Sequence, residues 1–517
     1  MTEVAESVEP IKKEGEKDTT RKQIRGSSLL LAGRMISVGL NFVAQVLIVR
    51  YLSTTDFGAW AYGLSIVAFF QGFATIGLDR AITRFIPIYH EKEEYGKLFG
   101  TIFLVLGSVL LIGALIVAVF YAAPEKLSGL MKDGQSPVSL LLIMIFLVPV
   151  EAIDGLLIGL FASFTSPRAI FFRKHVLGPG LKLAAVALMI AWGSSVTFLA
   201  YGYLAAYVIG VAMYIVVFVQ LLRRRGLFAR LEWRSIQMPA KEIFAFTIPL
   251  LTSDLVTIVM HSVDVLLLGY FHDATQVAIY RVVLPAAHLN KVVINSFGLL
   301  FTPLAARLFA KDDYSAINDL YWRTAIWLGV LSFPIFALTF SVAKPLTVFL
   351  YEARYESSWI IMSLLSLGYY FNAALGFNGL TLKVLGKLRY VVIINLVAVV
   401  INLALNLLLI PRYGALGAAI GTTGTMVTHN ILKQLGLKLA SGISLFDRRY
   451  FSFYVLISAS ALALFLIQFF LGANIYLAGL LAGIVTLTVF WLSRKKLQIA
   501  ETFPELLKIG LVRRFFT

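Results

Sequence analysis

Lys291 lies deep inside a long apolar stretch, with Arg281, His288 and Asn295 around it in sequence. At ~100° per residue these four polar side chains fall within an arc of about 80° on one helix face. A cationic stripe of this kind suits a diphosphate or acidic sugars, because ammonium and guanidinium groups replace the lost hydration of phosphate. The preceding apolar stretch gathers Asp254, Thr257, His261 and Asp264 on a shared face, so ion pairing with the stripe is the competing reading. Near the start of the chain Arg34, Asn41 and Gln45 recur at i, i+7 and i+11. They occupy about 40° of arc, which points into protein or water and not into lipid. Asn395, Asn402 and Asn406 repeat that spacing; asparagine there either meets sugar hydroxyls or fastens neighbouring helices. Glu151 and Asp154 either carry a proton through a cycle or pair with Lys182. Charge at membrane depth is costly, so each of these side chains needs a partner, a cavity or a function.

The elements that would position these residues follow from composition. Hydrophobic residues make up 59% of the 517, and charged residues only 14%. Mean hydropathy is +0.84. The apolar residues arrive in about fourteen runs between 28 and 492, most near twenty residues, enough to cross ~30 Å of hydrocarbon. The fold expected is all-α and polytopic. The runs include 138–160, 176–192 and 277–300, each expected as one span. Two six-helix lobes are expected at 28–222 and 243–440, joined by a basic linker at 223–242. Residues 1–27 and 493–517 form tails, and 441–492 holds two further helices. Helix breakers at Pro149, Gly178-Pro179-Gly180, Pro249, Pro285 and Pro334 are candidate hinges, the triplet foremost.

Net charge is +17, yet the basic residues gather at span ends and not on a soluble domain, so nucleic acid is not the expected partner. Segments sharing a side with the termini hold about 35 Lys and Arg, the opposite loops about 6, and the spans Arg34, Lys182, Arg281 and Lys291. The positive-inside rule then places both termini in the cytoplasm, with the chain in the cell membrane. The linker Arg223–Lys241 serves as a topology anchor or touches anionic headgroups. With no cysteine, thiolate metal sites and disulfides are excluded. No phosphate-loop, zinc-ligand or nucleophile motif is present, and no loop is long enough for a catalytic domain, so a transporter is expected and not an enzyme.

Arg50-Tyr51-Leu52-Ser53-Thr54-Thr55-Asp56-Phe57-Gly58 finds a weak echo about 220 residues on, at Gly269–Tyr280, as a parallel repeat would give. With Gly77-Leu78-Asp79-Arg80, Asp264–Gly269 and the Pro411–Gly414 turn, these junctions resemble the polysaccharide transporter branch of the multidrug/oligosaccharidyl-lipid/polysaccharide exporter superfamily. Ala278 stands where that family pattern has glycine. The resemblance implies two lobes around a central cationic cavity that opens alternately to each side. It implies flipping of polyprenyl-diphosphate-linked oligosaccharides, for O-antigen, capsule, exopolysaccharide or glycoprotein glycan. Expected partners are that lipid, the membrane and a glycan polymerase or glycosyltransferase. No cofactor is expected, and coupling to H+ or Na+ stays open. The alternatives are a cation-coupled multidrug exporter, expected to carry a carboxylate where Arg34 stands, and a membrane glycan polymerase or glycosyltransferase.

Overall fold

The computed structural model describes residues 29–75, 77–127, 136–164, 166–443 and 447–497. The expected tail 1–27, residues 128–135 and the expected tail 493–517 beyond residue 497 lie outside them, as do the side chains of Thr257 and His261; residues 493–497, expected as tail, are helix. The described residues are almost wholly helical, and no strand occurs among them. This is what hydrocarbon requires, since only a helix satisfies its backbone N–H and C=O groups within its own segment.

The helices run α1 (Leu29–Tyr51), α2 (Thr54–Thr75), α3 (Leu78–Glu91), α4 (Tyr95–Ala122) and α5 (Pro124–Leu127). Next come α6 (Ser136–Met144), α7 (Leu147–Ser163), α8 (Pro167–Ile170), α9 (Gly178–Ala191) and α10 (Val196–Arg224). They continue as α11 (Ala240–Phe271), α12 (Ala274–Arg281), α13 (Leu284–His288), α14 (Asn290–Phe309), α15 (Tyr314–Phe336) and α16 (Ala343–Tyr351). The last are α17 (Trp359–Ala374), α18 (Asn378–Val384), α19 (Leu388–Ser441), α20 (Phe451–Leu471) and α21 (Ile475–Leu497). Among the described residues eleven helices are long and apolar enough to cross a membrane, or twelve if one bent pair counts as a span.

The expected count of about fourteen is larger partly because α19, 54 residues long, contains two limbs. Gly414, at φ 55° and ψ −131°, breaks it where the sequence places a turn. Contacts of Gly417 with the Leu409 carbonyl, Gly421 with Asn406 and Gly436 with Tyr390 keep one antiparallel register along both limbs. Gln276 holds the turn by accepting from the Ala415 N–H at 3.0 Å.

Three expected spans are not the straight helices their sequences suggest. Residues 277–300 break into α12, α13 and α14, with a bend of 44° between Ala274–His288 and Asn290–Gly298. Pro285, which lacks an N–H, stands in the first turn of α13. The stretch 138–160 is interrupted between Met144 and Leu147. The expected loop at 161–175 is mostly helix. A π-helical segment at Phe171–Leu177 leads straight into Gly178-Pro179-Gly180. A second π segment, Ala337–Ser341, follows Pro334. In both places proline or glycine loosens the ladder, and wider turns absorb the mismatch.

The described residues cluster into two compact units. Unit 1 takes those within Met1–Leu52, Gly63–Ser128 and Gly134–Ile258; unit 2 takes those within Ser53–Tyr62, Gly129–Asp133 and Val259–Thr517. The start of α2 thus belongs with unit 2, and close backbone contact explains it. A Cβ on Gly58 would stand 1.8 Å from the Ala274 carbonyl oxygen. Gly269 makes similar room for the Tyr62 ring, 2.2 Å from a Cβ placed there. The two junctions singled out in the sequence therefore touch each other inside unit 2. Their caps also correspond: Asp56 N–H donates to Ser53 Oγ at 3.0 Å, and Gln276 N–H donates to Asp273 Oδ1 at 2.9 Å.

This contact gives a stability test. Gly58→Ala should destabilise the protein by about 1–3 kcal/mol, since backbone must move to admit the methyl group. Gly39→Ala, where nothing lies within 4 Å of the added carbon, should be neutral or mildly stabilising. Thermal melting of the detergent-solubilised chain compares them, and equal melting temperatures would contradict the proposed contact.

Candidate functional site

In unit 1 the embedded charges are settled among themselves. The π segment turns Arg173 and His175 inward, and both are buried. Arg173 Nη2 stands 2.8 Å from Asp154 Oδ1 of α7. Two glycines make room for the guanidinium, since a Cβ on Gly210 would lie 2.6 Å from Arg173 Cζ and one on Gly178 2.8 Å from Nη1. Lys182 Nζ donates to the Tyr207 hydroxyl at 2.6 Å. Glu151 lies beside the same hydroxyl and ammonium. Ser37 Oγ and His175 Nδ1 are 3.2 Å apart, and Asn41 Nδ2 donates to the Ser37 carbonyl at 2.6 Å. A cavity of about 190 Å³ remains, lined by Asn41, Asp154, Arg173, Lys174, Lys182 and Tyr207 among others. Gln45 is half-buried and Arg34 is exposed on α1; neither lines this cavity.

The sequence reading assigned Arg173 to a loop, and that is corrected here. Helix extends from Pro167 through Ala191, and Arg173 is the partner of Asp154. The four bases assigned to the spans therefore omit one. Asp254, in the part of α11 that belongs to unit 1, pairs with Arg80 of α3 and not with Arg281 or Lys291. That contact gives the Gly77-Leu78-Asp79-Arg80 motif its place, with Gly77 at φ 66° facing the Asp254 carboxylate.

Unit 2 divides its polar groups differently. Asp264 is buried and accepts from Tyr280 Oη at 2.7 Å and Thr422 Oγ1 at 3.0 Å. Arg281 is half-buried and lies within electrostatic reach of Asp264. Asn402 is buried and donates to Thr425 Oγ1 at 3.4 Å across the α19 hairpin, with buried Asn406 one turn away. Tyr369 is within electrostatic reach of Asp264 and Arg281 as well. The chain bends by 44° after α13, between Arg281 and Lys291.

Lys291 lies in the first turn of α14, with Nζ 4.3 Å from the centroid of the Tyr369 ring. The Tyr369 hydroxyl bonds His288 Nε2 at 2.7 Å, so one tyrosine orients both basic side chains. Beside Lys291 opens a cavity of about 530 Å³ within unit 2. Its wall includes Lys383 of α18 and Lys433 of α19, with Asn295, Asn372, Asn378 and Asn395. Among the described residues no aspartate or glutamate lines it. Asn395 Oδ1 is 2.9 Å from His429 Nε2, and Asn378 Nδ2 donates to Asn430 Oδ1 at 3.2 Å, so two of the amides are held in place. Gly376, at φ 72°, makes the turn from α17 into α18; a Cβ there would press on Ala325 at 2.9 Å.

Of the sequence candidates, the structure brings Lys291, Asn295 and Asn395 to one cavity. Lys383 and Lys433 were missed because they were counted as loop and span-end charges. Lys433 lies eight residues before the end of α19, or about 12 Å along the axis. That depth was the available signal.

Unit 2 also carries two apolar cavities beside α20. One, about 560 Å³, is lined by Phe336, Phe340, Tyr370, Tyr454 and Ile457 among others. The other, about 340 Å³, is lined by Trp359, Phe465, Gln468 and Phe469, with Lys344 at its edge.

With this geometry in hand, comparison with known proteins places the chain. The family model described as polysaccharide biosynthesis protein matches residues 24–309, more than half of the chain. The chain belongs to this family, within the multidrug/oligosaccharidyl-lipid/polysaccharide exporter superfamily, and is a multi-pass membrane protein. The MatE model matches residues 249–408. An uncharacterized membrane protein of Methanocaldococcus jannaschii is 22% identical over 420 residues, covering 78% of this chain and 81% of that one. The capsular polysaccharide biosynthesis protein CapF of Staphylococcus aureus is 26% identical over 184 residues, 35% of this chain and 46% of that one. The fold is similar to the lipid II flippase MurJ in its inward closed conformation, with TM-score 0.67 and 15% identity over 90% of this chain and 99% of that one. It is also similar to an inward-facing multidrug resistance MATE family transporter, with TM-score 0.64 and 15% identity over 79% and 94%.

The buried pair in unit 1 makes a prediction. Arg173→Met should destabilise by about 3–5 kcal/mol, because the Asp154 carboxylate is left without its partner in low dielectric. Adding Asp154→Leu should recover part of that loss. A double variant less stable than Arg173→Met alone, in thermal melting, would contradict the pairing.

Proposed function

We propose that this chain translocates polyprenyl-diphosphate-linked oligosaccharide units across the cell membrane for surface polysaccharide or glycoprotein glycan assembly. The observation that carries the reading is the unit 2 cavity, where Lys291, Lys383 and Lys433 line one space with no acid among the described residues of its wall. Three ammonium groups kept together in a membrane-spanning unit repel one another, and a multivalent anion relieves that repulsion. A diphosphate has the matching charge, and the four asparagines supply donors and acceptors for the adjoining sugar hydroxyls. The volume, about 530 Å³, falls within the ~300–1,000 Å³ usual for small-ligand sites. The apolar cavities along α20 suit the polyprenyl chain of the same lipid.

In this reading the cavity is exposed alternately to the two sides of the membrane. The breaks at Leu289 and Gly376 and the π segment after Pro334 are the places where helices of unit 2 can bend. The excess of Lys and Arg in segments sharing a side with the termini supports a cytoplasmic location for both ends. Glycosyltransferases supply the cargo, and a glycan polymerase or transferase consumes it.

The second reading, a cation-coupled multidrug exporter, is supported by the MatE match over residues 249–408. The lysine-lined cavity opposes it, since a cationic ligand there would meet like charge.

Lys291→Ala and Lys433→Ala should each reduce surface glycan at least ten-fold in a host that depends on this chain, while membrane levels stay unchanged. Lys433→Arg should retain more activity than Lys433→Ala. Arg281→Ala should also abolish surface glycan, acting through the Asp264 side of unit 2. Quantitative glycan blots with a membrane-fraction control read all four. Normal export by the Lys291 and Lys433 alanine variants would remove the diphosphate role of this cavity.

A further inference from the structure

The basic linker is built as a surface and not as a slack connection. After α10 ends at Arg224, the chain forms 3-10 turns at Leu227–Arg230 and Trp233–Ser235, then enters α11 at Ala240. It is strapped along α4 by backbone: a Cβ on Gly96 would lie 2.2 Å from the Ser235 carbonyl, and one on Gly100 1.9 Å from that of Gln237. The Gln237 N–H donates to the Gly96 carbonyl at 3.3 Å. Arg225 donates to the Phe164 carbonyl at 2.7 Å, and Arg230 holds Tyr95. These two arginines lock the strap.

Of the remaining side chains Leu227 is buried, and the exposed ones include an apolar set, a basic set and the single acid Glu232. Trp233 is 72% exposed and Met238 60%, large areas for apolar groups. Trp233 stacks on Phe103 of α4, with ring centroids 6.0 Å apart and planes 21° apart. Phe103 lies eight residues into α4, or about 12 Å along its axis. A helix of 28 residues is about 42 Å long and overhangs a ~30 Å hydrocarbon core by roughly 6 Å at each end. The Trp233 ring therefore reaches the border of the hydrocarbon, the level at which tryptophan is favoured. Arg223, Arg224, Arg234 and Lys241 are exposed. Among the described residues the structure gives none of them an acidic partner. Glu242, the nearest acid in sequence to Lys241, accepts from Tyr89 Oη at 2.8 Å.

We propose that Arg223–Lys241 is a docking surface for anionic phospholipid, with Trp233 and Met238 set into the bilayer border and Arg223, Arg224, Arg234 and Lys241 on lipid phosphates. A soluble anion would account for the arginines but not for exposed apolar rings held at hydrocarbon depth. A neutral membrane surface would account for the rings but not for unpaired cations beside them. An anionic bilayer surface satisfies both. The strap thereby ties the ends of α4, α10 and α11 to the charge of the surrounding lipid.

The chain contains no cysteine, so Met238→Cys gives a single site for a bimane label in the full-length protein. Reconstituted into phosphatidylcholine vesicles, the label is exposed to phosphatidylglycerol or phosphatidylcholine spin-labelled near the headgroup, at equal mole fraction. The glycerol lipid should quench at least two-fold more strongly at low salt, and the difference should shrink at high salt. Arg223→Gln, Arg224→Gln and Arg234→Gln together should bring the ratio near one without changing the melting temperature. Equal quenching by the two lipids, or none by either, would overturn the proposal. So would a difference removed by inorganic phosphate at constant ionic strength, which would assign the surface to a soluble anion.

Discussion

A hydrocarbon interior solvates neither a backbone amide nor a charge, and both requirements act on every residue between the two membrane surfaces. The first is met by helix almost throughout the described chain. The second is met in two contrasting ways. In unit 1 the carboxylates Glu151 and Asp154 lie within reach of Lys182 and Arg173, and little space is left over. In unit 2 Asp264 is satisfied by hydroxyls and by nearby Arg281, while three lysines border a larger cavity with no carboxylate among the described residues of its wall. Neutralised charge holds helices in place, whereas charge facing open space can receive an anion. That contrast is the physical ground for the proposal that binding takes place in unit 2.

Departures from ideal helix occur where these groups must be aimed. The π segment at Phe171–Leu177 turns Arg173 and His175 inward, toward the room left by Gly178 and Gly210. The break after His288 falls between Arg281, near Asp264, and Lys291, at the cavity, with Tyr369 in reach of both. The turn at Gly376 carries α17 into α18 and brings Asn378 and Lys383 to the same wall. Each departure sits at proline or glycine, or within a few residues of one, where loss of a ladder hydrogen bond costs least.

The all-α membrane class was legible from run length and scarcity of charge alone. So was the hairpin turn at Pro411–Gly414, from the gap between two apolar runs and from the family resemblance of that stretch. Fourteen straight spans were not legible: hydropathy counts apolar residues but does not register a 44° bend or a π turn. Periodicity at 100° per residue put Arg281 and Lys291 on one face without registering the bend that falls between them. Lys291, Asn295 and Asn395 were found because they are polar in plainly apolar stretches. Arg173, Lys383 and Lys433 were missed because they lie near span ends, where positive charge also serves topology. Depth along the helix, and not distance from the nearest loop, was the property that separated the two roles.

The most direct measurement is lipid translocation by the purified chain. Proteoliposomes carrying a fluorescent polyprenyl-diphosphate oligosaccharide in both leaflets, treated with an impermeant quencher, report whether lipid moves from the inner leaflet outward. The account predicts loss of nearly all fluorescence with the intact chain and of about half with Lys291→Ala/Lys433→Ala, equal to empty vesicles. Equal, complete loss with both proteins, or protection of half the signal by the intact chain, would contradict it.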